Sequence, residues 1–241
     1  MITNSDTGTN IHEIADGIYR INTPVDLPGD AGKFNFNQYL IVDDEPMLFH
    51  TGPRQLFPLV SGAINAVIPL QSLKFIGVSH FEADECASLN DLLAAAPESE
   101  AVCGGIAAMV SLGDFADRPP RALADGEILS LGKHNMRWLD TPHTPHGWDC
   151  GLMMDETTAT FFCGDLFTQG GPGCTPLTEA DILGPSEEFR GQMDYFAHGP
   201  QTRQTLERIA LMTPGTLACM HGSAWRGDGA GLLRALADSL E

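Results

Sequence analysis

The chain has few basic residues for its length. Its 241 residues contain 13 Lys and Arg against 32 Asp and Glu, which gives a formal net charge of -19 at pH 7. A surface of that sign repels phosphate backbones and anionic lipid headgroups. We therefore expect neither nucleic acid nor a membrane surface as a partner.

Long hydrophobic runs and a targeting segment are also lacking. No stretch approaches the roughly 20 apolar residues that a membrane-spanning helix needs. Residues 1–10 are polar and lack the charged-then-apolar order of a signal peptide. We expect a cytoplasmic protein that forms a single domain over residues 1–241, with residues 1–10 as a flexible N-terminal tail.

The cysteines are not spaced as a zinc ribbon or a thioredoxin-type motif requires, because no Cys-x-x-Cys pair occurs. They are expected to be reduced thiols. The six are Cys86, Cys103, Cys150, Cys163, Cys174 and Cys219.

Strand-like and helix-like segments alternate along the chain. The runs 74–79 and 160–163 show little polar alternation, which is typical of strands buried on both faces. We expect strands at 17–21, 38–42, 46–50, 75–79, 136–139, 151–154, 160–163 and 216–220, and helices around 53–66, 85–96, 105–112, 201–212 and 229–240. The pattern predicts an α/β protein of four layers, an αββα sandwich with two sheets covered by helices.

Four short segments carry side chains that bind metals in proteins. Each segment follows a strand-like run, where α/β proteins place functional loops. A mixture of imidazole and carboxylate donors suits iron or manganese at least as well as zinc. The sequence therefore predicts a site for two metal ions, and its candidate ligands are His80, Glu82, Asp84, Glu85, His146, Asp165 and His221.

Two of these segments need a closer reading. A lone carboxylate at the end of a buried strand is costly unless a cation binds it, so Asp165 is the best candidate for a bridging ligand. The second segment contains both His143 and His146. Either can reach a metal, and the other is then a hydrogen-bond partner of a ligand.

These motifs resemble those of the metallo-β-lactamase superfamily, specifically the diiron domain of flavodiiron proteins and related oxygen-binding diiron proteins. The segment His80–Glu85 matches the pattern His-x-Glu-x-Asp-His except at its last position. The segment His221–Arg226 matches His-Gly-x-x-Trp-Arg in full, and Asn37–Leu40 resembles the strand Asn-x-Tyr-Leu. The resemblance extends over nearly the whole chain and implies the metallo-β-lactamase-like sandwich.

The resemblance also implies a ligand set. One metal would be held by His80, Glu82 and His146, the other by Asp84 and His221, with Asp165 bridging; His146 is the better match for the middle histidine. Glu85 stands where the family has histidine, and it either ligates as a harder donor or leaves an open position. Asp165, Glu85 and His143 are the candidate catalytic residues. His50 stands where superfamily members commonly have aspartate, and we expect it to support the first motif through hydrogen bonds.

The expected cofactors are two metal ions, iron in the first place and zinc or manganese as alternatives. Flavodiiron proteins carry a flavodoxin-like domain after the diiron domain. The sequence ends at Glu241, and the glycine-rich run 169–173 lacks the strand-to-helix setting of a dinucleotide fingerprint, so we expect no FMN in this chain. The aromatic residues Phe34, Phe36, Trp148 and Phe167 are candidates for a dry pocket beside the metals.

Two classes of function follow from such a centre. The first is binding or reduction of dioxygen or nitric oxide, as a sensor or as a reductase with an external electron donor. The second is hydrolysis of an ester, amide or phosphoester by a metal-activated water. Glu82, in place of the second histidine usual in the hydrolases, favours the first class. A third reading is a binding module with an incomplete metal site. Whether the chain forms a homodimer is open.

Overall fold

Two seven-stranded sheets form the centre of the molecule in the computed structural model, which describes residues 1–29 and 32–241. The first sheet contains, in spatial order, β1 (Asn10–Ala15), β2 (Ile18–Asp26), β3 (Lys33–Ile41), β4 (Met47–Phe49), β5 (Phe75–Gly77), β6 (Glu100–Gly104) and β7 (Arg121–Leu123). The second contains β8 (Ile128–Ser130), β9 (Asn135–Asp140), β10 (Gly151–Asp155), β11 (Thr160–Gly164), β12 (Leu177–Thr178), β13 (Thr216–Cys219) and β14 (Ala224–Arg226), in the order β12-β14-β13-β11-β10-β9-β8.

Helices cover the outer face of each sheet. They are α1 (Phe57–Asn65), α2 (Ala83–Cys86), α3 (Leu89–Ala95), α4 (Gly105–Val110), α5 (Leu112–Phe115), α6 (Leu183–Gln192), α7 (Thr202–Ala210) and α8 (Gly229–Ser239), with 3-10 turns at Arg54–Leu56 and Leu70–Ser72. Val60 of α1 and Leu92 of α3 belong to the apolar cluster of the first sheet, and Leu206 of α7 and Leu233 of α8 to that of the second. The predicted αββα sandwich is confirmed.

A third apolar cluster fills the space between the sheets. Phe162 of β11 is fully buried there, with its ring centroid 5.6 Å from that of Tyr39 and 5.3 Å from that of Phe49. Trp138 of β9 is also fully buried in this layer. These large rings set how the two sheets lie against each other, and with that the relative position of the loops at their ends.

All eight expected strands are present, with ends that differ by a few residues. The strands β1, β6, β7, β8, β12 and β14 and the helix α6 were not expected. Several of them span only two or three residues, too short for an alternation of polar and apolar positions to show. The helix expected at 85–96 is divided into α2 and α3, because the chain turns at Ala87 and Ser88.

The N-terminal residues, expected to form a tail, make backbone hydrogen bonds with the first sheet. The backbone N–H of Ile11 donates to the carbonyl of Met1 at 2.8 Å, and that of Thr3 donates to Thr9 at 2.8 Å. Ile2 forms an antiparallel bridge with Asn10. These hydrogen bonds extend the edge of the first sheet back to residue 1. Among the described residues, no helix is long and apolar enough to cross a membrane.

The strand directions bring the predicted metal segments together. β4, β5, β6 and β7 are parallel neighbours, and so are β11 and β13. His80 follows the carboxyl end of β5, Asp165 that of β11 and His221 that of β13. Carboxyl ends of parallel strands meet at one edge of a sheet. The sandwich therefore collects the four segments at one end.

The aromatic layer between the sheets can be tested by shortening one ring. Phe162→Ala should lower the free energy of unfolding by about 3–5 kcal/mol, since it opens a cavity between rigid sheets. Met109→Ala, which changes a side chain 70% exposed, is the control and should change stability by less than about 0.5 kcal/mol. Denaturant unfolding followed by circular dichroism measures both. A loss below about 1 kcal/mol for Phe162→Ala would contradict this packing.

Candidate metal centre

Four donor atoms from three segments surround one point. The Nε2 atom of His80 lies 3.1 Å from Oε2 of Glu82 and 3.0 Å from Nε2 of His146. His146 Nε2 is 2.9 Å from the same Glu82 oxygen. Oδ2 of Asp165 lies 3.4 Å from His80 Nε2 and 3.3 Å from His146 Nε2. These four residues form the first donor group.

The spacing of these atoms fits a metal ion. Donors held at about 2.1 Å from one ion stand about 3.0 Å apart in octahedral and about 3.4 Å apart in tetrahedral geometry. The five separations given above run from 2.9 to 3.4 Å, and all four atoms lie within 4.8 Å of one another. The donors therefore surround one ion without rearrangement of the backbone.

A second donor group adjoins the first. Nε2 of His221 lies 3.3 Å from Oδ2 of Asp84 and 3.3 Å from Oδ1 of Asp165. The two oxygens of Asp165 thus face different groups, which is the arrangement of a bridging carboxylate. Carboxylate oxygens of Glu82, Asp84 and Glu85 lie within 4.8 Å of one another. The structure therefore brings the seven candidate ligands together in two adjoining groups.

The histidine rings are oriented by their other nitrogen. The Nδ1–H of His146 donates to the carbonyl of Tyr195 at 2.8 Å, and the Nδ1–H of His221 donates to the carbonyl of Asn35 at 2.8 Å. A carbonyl can only accept, so Nδ1 carries a proton, and a ring that has lost its Nε2 proton would offer the Nε2 lone pair to a metal. His80 likewise directs Nε2 inward, with Nδ1 2.9 Å from Oγ of Ser79.

Charge in the centre is unbalanced in favour of the carboxylates. Hydrogen bonds from His146 and His80 lower the pKa of Glu82 to about 2. Burial by itself lowers the pKa of His221, but hydrogen bonds to Asp165 and Asp84 raise it to about 10. Protons on the histidines thus offset the acidic charge, and divalent cations are the natural replacement for them.

Glu85 is the most isolated carboxyl group of the centre. It is fully buried, and neither side-chain oxygen has a hydrogen-bond partner among the described residues. Burial, and then the charge of Asp165, raise its pKa well above the ordinary value. Its Oε2 lies 4.0 Å from His80 Nε2. A buried carboxyl without a partner is costly, and a cation in the second donor group would satisfy it.

His143 does not reach the centre. It is exposed, and its backbone has a φ of 63°, a left-handed turn conformation in which its N–H donates to the carbonyl of Gly147 at 2.8 Å. It belongs to neither donor group. The structure therefore brings His146, and not His143, into the first donor group.

The centre opens into a cavity of about 190 Å³. The ring of Phe34 lies 4.5 Å from that of His221 and 5.5 Å from that of Phe189 of α6, centroid to centroid. Of the four expected pocket aromatics, Phe36 also contacts His221, whereas Phe167 is buried in the outer core and Trp148 lines a different cavity. The lining consists of Phe34, Glu82, Asp84, His146, Asp165, Thr168, Phe189, Met193, Tyr195 and His221.

Several contributors to the centre were not expected. Tyr195 and Asn35 orient ligands through backbone carbonyls, which any residue type could supply, so no sequence signal marks them. Ser79 was read only as part of a buried strand. His50 was expected to support the first motif, and its Nε2 does lie 2.8 Å from Ser79 Oγ. Burial lowers the pKa of His50 to about 3, so its ring is neutral.

The geometry agrees with comparisons to known proteins. Residues 34–222 match the family described as "ODP family beta lactamase". The chain belongs to this family.

Two relatives are similar to this chain in sequence. The chain is 27% identical over 206 residues to "Putative diflavin flavoprotein A 1" of Nostoc sp. and 24% identical over 201 residues to "Rubredoxin-oxygen oxidoreductase" of Megalodesulfovibrio gigas. Each match covers 80% of this chain but 35% and 49% of the relative. The chain thus spans about a third to a half of the length of these relatives.

A solved fragment, residues 1–254 of diflavin flavoprotein A 5 from Nostoc sp., superposes with a TM-score of 0.84 at 18% identity, covering 96% of this chain and 95% of the fragment. At that identity the likeness concerns the fold alone. It confirms the metallo-β-lactamase-like fold that the motifs implied.

The bridging position of Asp165 predicts an all-or-none effect on metal binding. Asp165→Asn should remove both ions, because both donor groups lose an anionic oxygen, whereas Glu85→Ala should weaken only the second. Metal content after anaerobic loading with ferrous iron, measured by mass spectrometry, gives the stoichiometry. Asp149→Asn is the matched control, a buried aspartate whose Oδ2 accepts from Ser111 Oγ at 2.9 Å outside the donor groups. Equal loss in the Asp165 and Glu85 variants would contradict separate sites.

The isolation of Glu85 predicts a pH-dependent stability difference in the metal-free protein. The folded pKa of Glu85 is raised above its ordinary value of 4.5. Below pH 4.5 the group is protonated in both the folded and the unfolded protein. As the pH rises from 4.5 towards the folded pKa, the unfolded protein ionises first, so the free energy of unfolding falls. Glu85→Gln cannot ionise. Its advantage in free energy of unfolding over the wild type should therefore grow above pH 4.5, by at most about 1.4 kcal/mol per pH unit.

Urea unfolding from pH 4 to 8 in a chelator measures this difference, with the exposed Glu100→Gln as control. An advantage that stays constant across this range would show that Glu85 is ionised in the folded protein. With metal bound the sign reverses, because Gln is a poorer ligand than a carboxylate.

Proposed function

We propose that this protein is a non-haem diiron protein that binds or reduces dioxygen or nitric oxide. The observation that carries the proposal is the donor set: two adjoining groups of imidazoles and carboxylates share Asp165, with spacings of 2.9 to 3.4 Å in the first. Carboxylate-rich sites of this kind suit iron, whereas structural zinc sites are built mostly from nitrogen and sulfur ligands. The Megalodesulfovibrio gigas relative is named an oxygen oxidoreductase, which supports the same chemistry.

The residues present fit two iron ions. His80, Glu82 and His146 would hold one, and Asp84, His221 and Glu85 the other, with Asp165 between them. When bound, the two irons supply coordination positions for a small diatomic gas and the capacity to exchange electrons with it. The ions would satisfy the buried oxygens of Glu85, which have no hydrogen-bond partner among the described residues, and would face Asp165 Oδ1, which lies 3.3 Å from His221 Nε2.

The cavity favours a small substrate. Its volume of about 190 Å³ is below the roughly 300–1,000 Å³ of pockets that enclose drug-sized ligands. Phe34 and Phe189 stack at its wall, and Phe34 lies against the ring of His221. These rings exclude water from one side of the centre and hold the His221 imidazole in place. A neutral gas enters such a space without losing strong hydration.

Reduction of dioxygen or nitric oxide consumes protons as well as electrons. Burial raises the pKa of Tyr195 to about 12, so its hydroxyl remains a donor beside the cavity at neutral pH. Electrons would come from an external donor. The name of the Megalodesulfovibrio gigas relative points to a small redox protein of the rubredoxin kind. Repeated turnover with such a donor would distinguish a reductase from a sensor.

The proposal is tested on protein purified and loaded with ferrous iron without oxygen. We expect two irons per chain, a new near-ultraviolet or visible absorption on admission of air or nitric oxide, and consumption of the gas by the protein with excess reductant. Asp165→Asn should show none of these, while Asp149→Asn should behave as the wild type. Tight binding of zinc with hydrolysis of an ester or phosphodiester and no response to oxygen would overturn the proposal in favour of a hydrolase. One ion per chain would favour a binding module.

A further inference from the structure

His80 is supported differently from the other two histidine ligands. His146 and His221 each donate Nδ1–H to a backbone carbonyl. The Nδ1 of His80 instead faces a side chain, Oγ of Ser79 at 2.9 Å, and that oxygen is 2.8 Å from Nε2 of His50. His80 is therefore the histidine ligand whose orientation depends on replaceable side chains.

The direction of this hydrogen-bond chain follows from its far end. Nδ1 of His50 lies 3.0 Å from the thioether sulfur of Met220. A thioether accepts weakly and cannot donate, so the His50 proton is on Nδ1 and its Nε2 accepts from the Ser79 hydroxyl. Ser79 Oγ then accepts from Nδ1–H of His80. In this arrangement the Ser79 hydroxyl donates to His50 and accepts from His80. The lone pair at His80 Nε2 is then available to a metal.

The far end of the chain is held rigidly. His50 is 1% exposed and has a φ of 64°, a conformation rare for a non-glycine residue and found where surrounding structure enforces it. Its backbone N–H donates to the carbonyl of Gly77 at 2.8 Å, and its ring stacks on Phe49 with centroids 4.3 Å apart. The ring therefore has little freedom to follow Ser79 or His80 if either moves.

We propose that His50 and Ser79 are positioning residues that fix the tautomer and ring angle of His80 and couple the loop that carries His80 to the loop that carries His221. The coupling runs through Met220, which precedes His221 in the chain and contacts the His50 ring. The relay contains no carboxylate, so it orients His80 without adding negative charge behind it. Partners of this kind typically change metal affinity about 10–100-fold when removed.

The proposal rests on the metal-binding part of the proposed function. Its test uses Co(II) as the probe on the 241-residue chain after a chelator has removed bound metal. Titration followed by visible absorption gives two stepwise affinities. Ser79→Ala and His50→Leu should weaken one of the two ions about 10–100-fold and leave the other nearly unchanged. His50→Gln keeps an acceptor near the position of Nε2 and should restore most of the loss.

A control separates this effect from the loss of any buried histidine. His134, 4% exposed and paired with Asp155 at 2.9 Å, lies just before β9, at the opposite end of that strand from the segment 141–150. His134→Leu should leave both Co(II) affinities unchanged.

Proton NMR of the Co(II)-loaded protein supplies a readout that a general structural role would not move. Three shifted, exchangeable imidazole N–H signals are expected, one for each histidine ligand. In Ser79→Ala one of them should exchange rapidly with solvent while two persist.

The outcomes are distinct. Selective weakening of one ion, rescue by Gln and loss of one N–H signal support the relay. Unchanged affinities and three protected signals, or equal weakening of both ions without rescue, overturn it. Fewer than two Co(II) ions in the wild type would instead refute the dinuclear centre of the proposed function.

Discussion

The shared carboxylate of Asp165 is the constraint on which the centre depends. Its Oδ2 completes the first donor group and its Oδ1 faces His221 at 3.3 Å, so one side chain sets the distance between the two groups. Asp165 directly follows β11, which lies between β10 and β13 in the interior of the second sheet. Gly164 before it has a φ of 52°, and a Cβ there would come within 2.9 Å of Leu152. The position of Asp165 between the two donor groups is therefore fixed by β11 and by the turn that follows it.

The centre depends on how the two sheets pack against each other. His221 follows a strand of the second sheet, but its ring is oriented by the carbonyl of Asn35 in the first. Tyr39 reinforces this junction by donating its hydroxyl to the carbonyl of Cys219 at 2.6 Å. The relay from His80 through Ser79 and His50 ends at Met220, on the same loop as His221. Ligands and inter-sheet contacts are thus one connected arrangement, and the fold's stability and the centre's geometry depend on the same residues.

Sequence patterns predicted eight strands, and missed β1, β6 and most of the strands of two or three residues. The run 160–163 could be read as β11 because burial on both faces requires a continuous apolar stretch. By contrast, β14 consists of Ala224–Arg226 and overlaps a metal motif, so its residues carry two signals at once. The helix α6, which brings Phe189 to the cavity, has little apolar periodicity. It packs on Phe34 and on α8, and both contacts join residues far apart in the chain.

The sequence by itself determined the chemistry of this protein: the donor types, their order, and the strand ends that carry them, because these are properties of local segments. It also singled out His146 through its family motif. Only the tertiary structure decided which atoms converge. It placed His143 at the surface, outside both donor groups, and it turned the two oxygens of Asp165 towards different groups. It also revealed Ser79 and the carbonyls of Asn35 and Tyr195 as partners of the ligands. Those roles depend on distances between segments far apart in the chain, which local patterns do not encode.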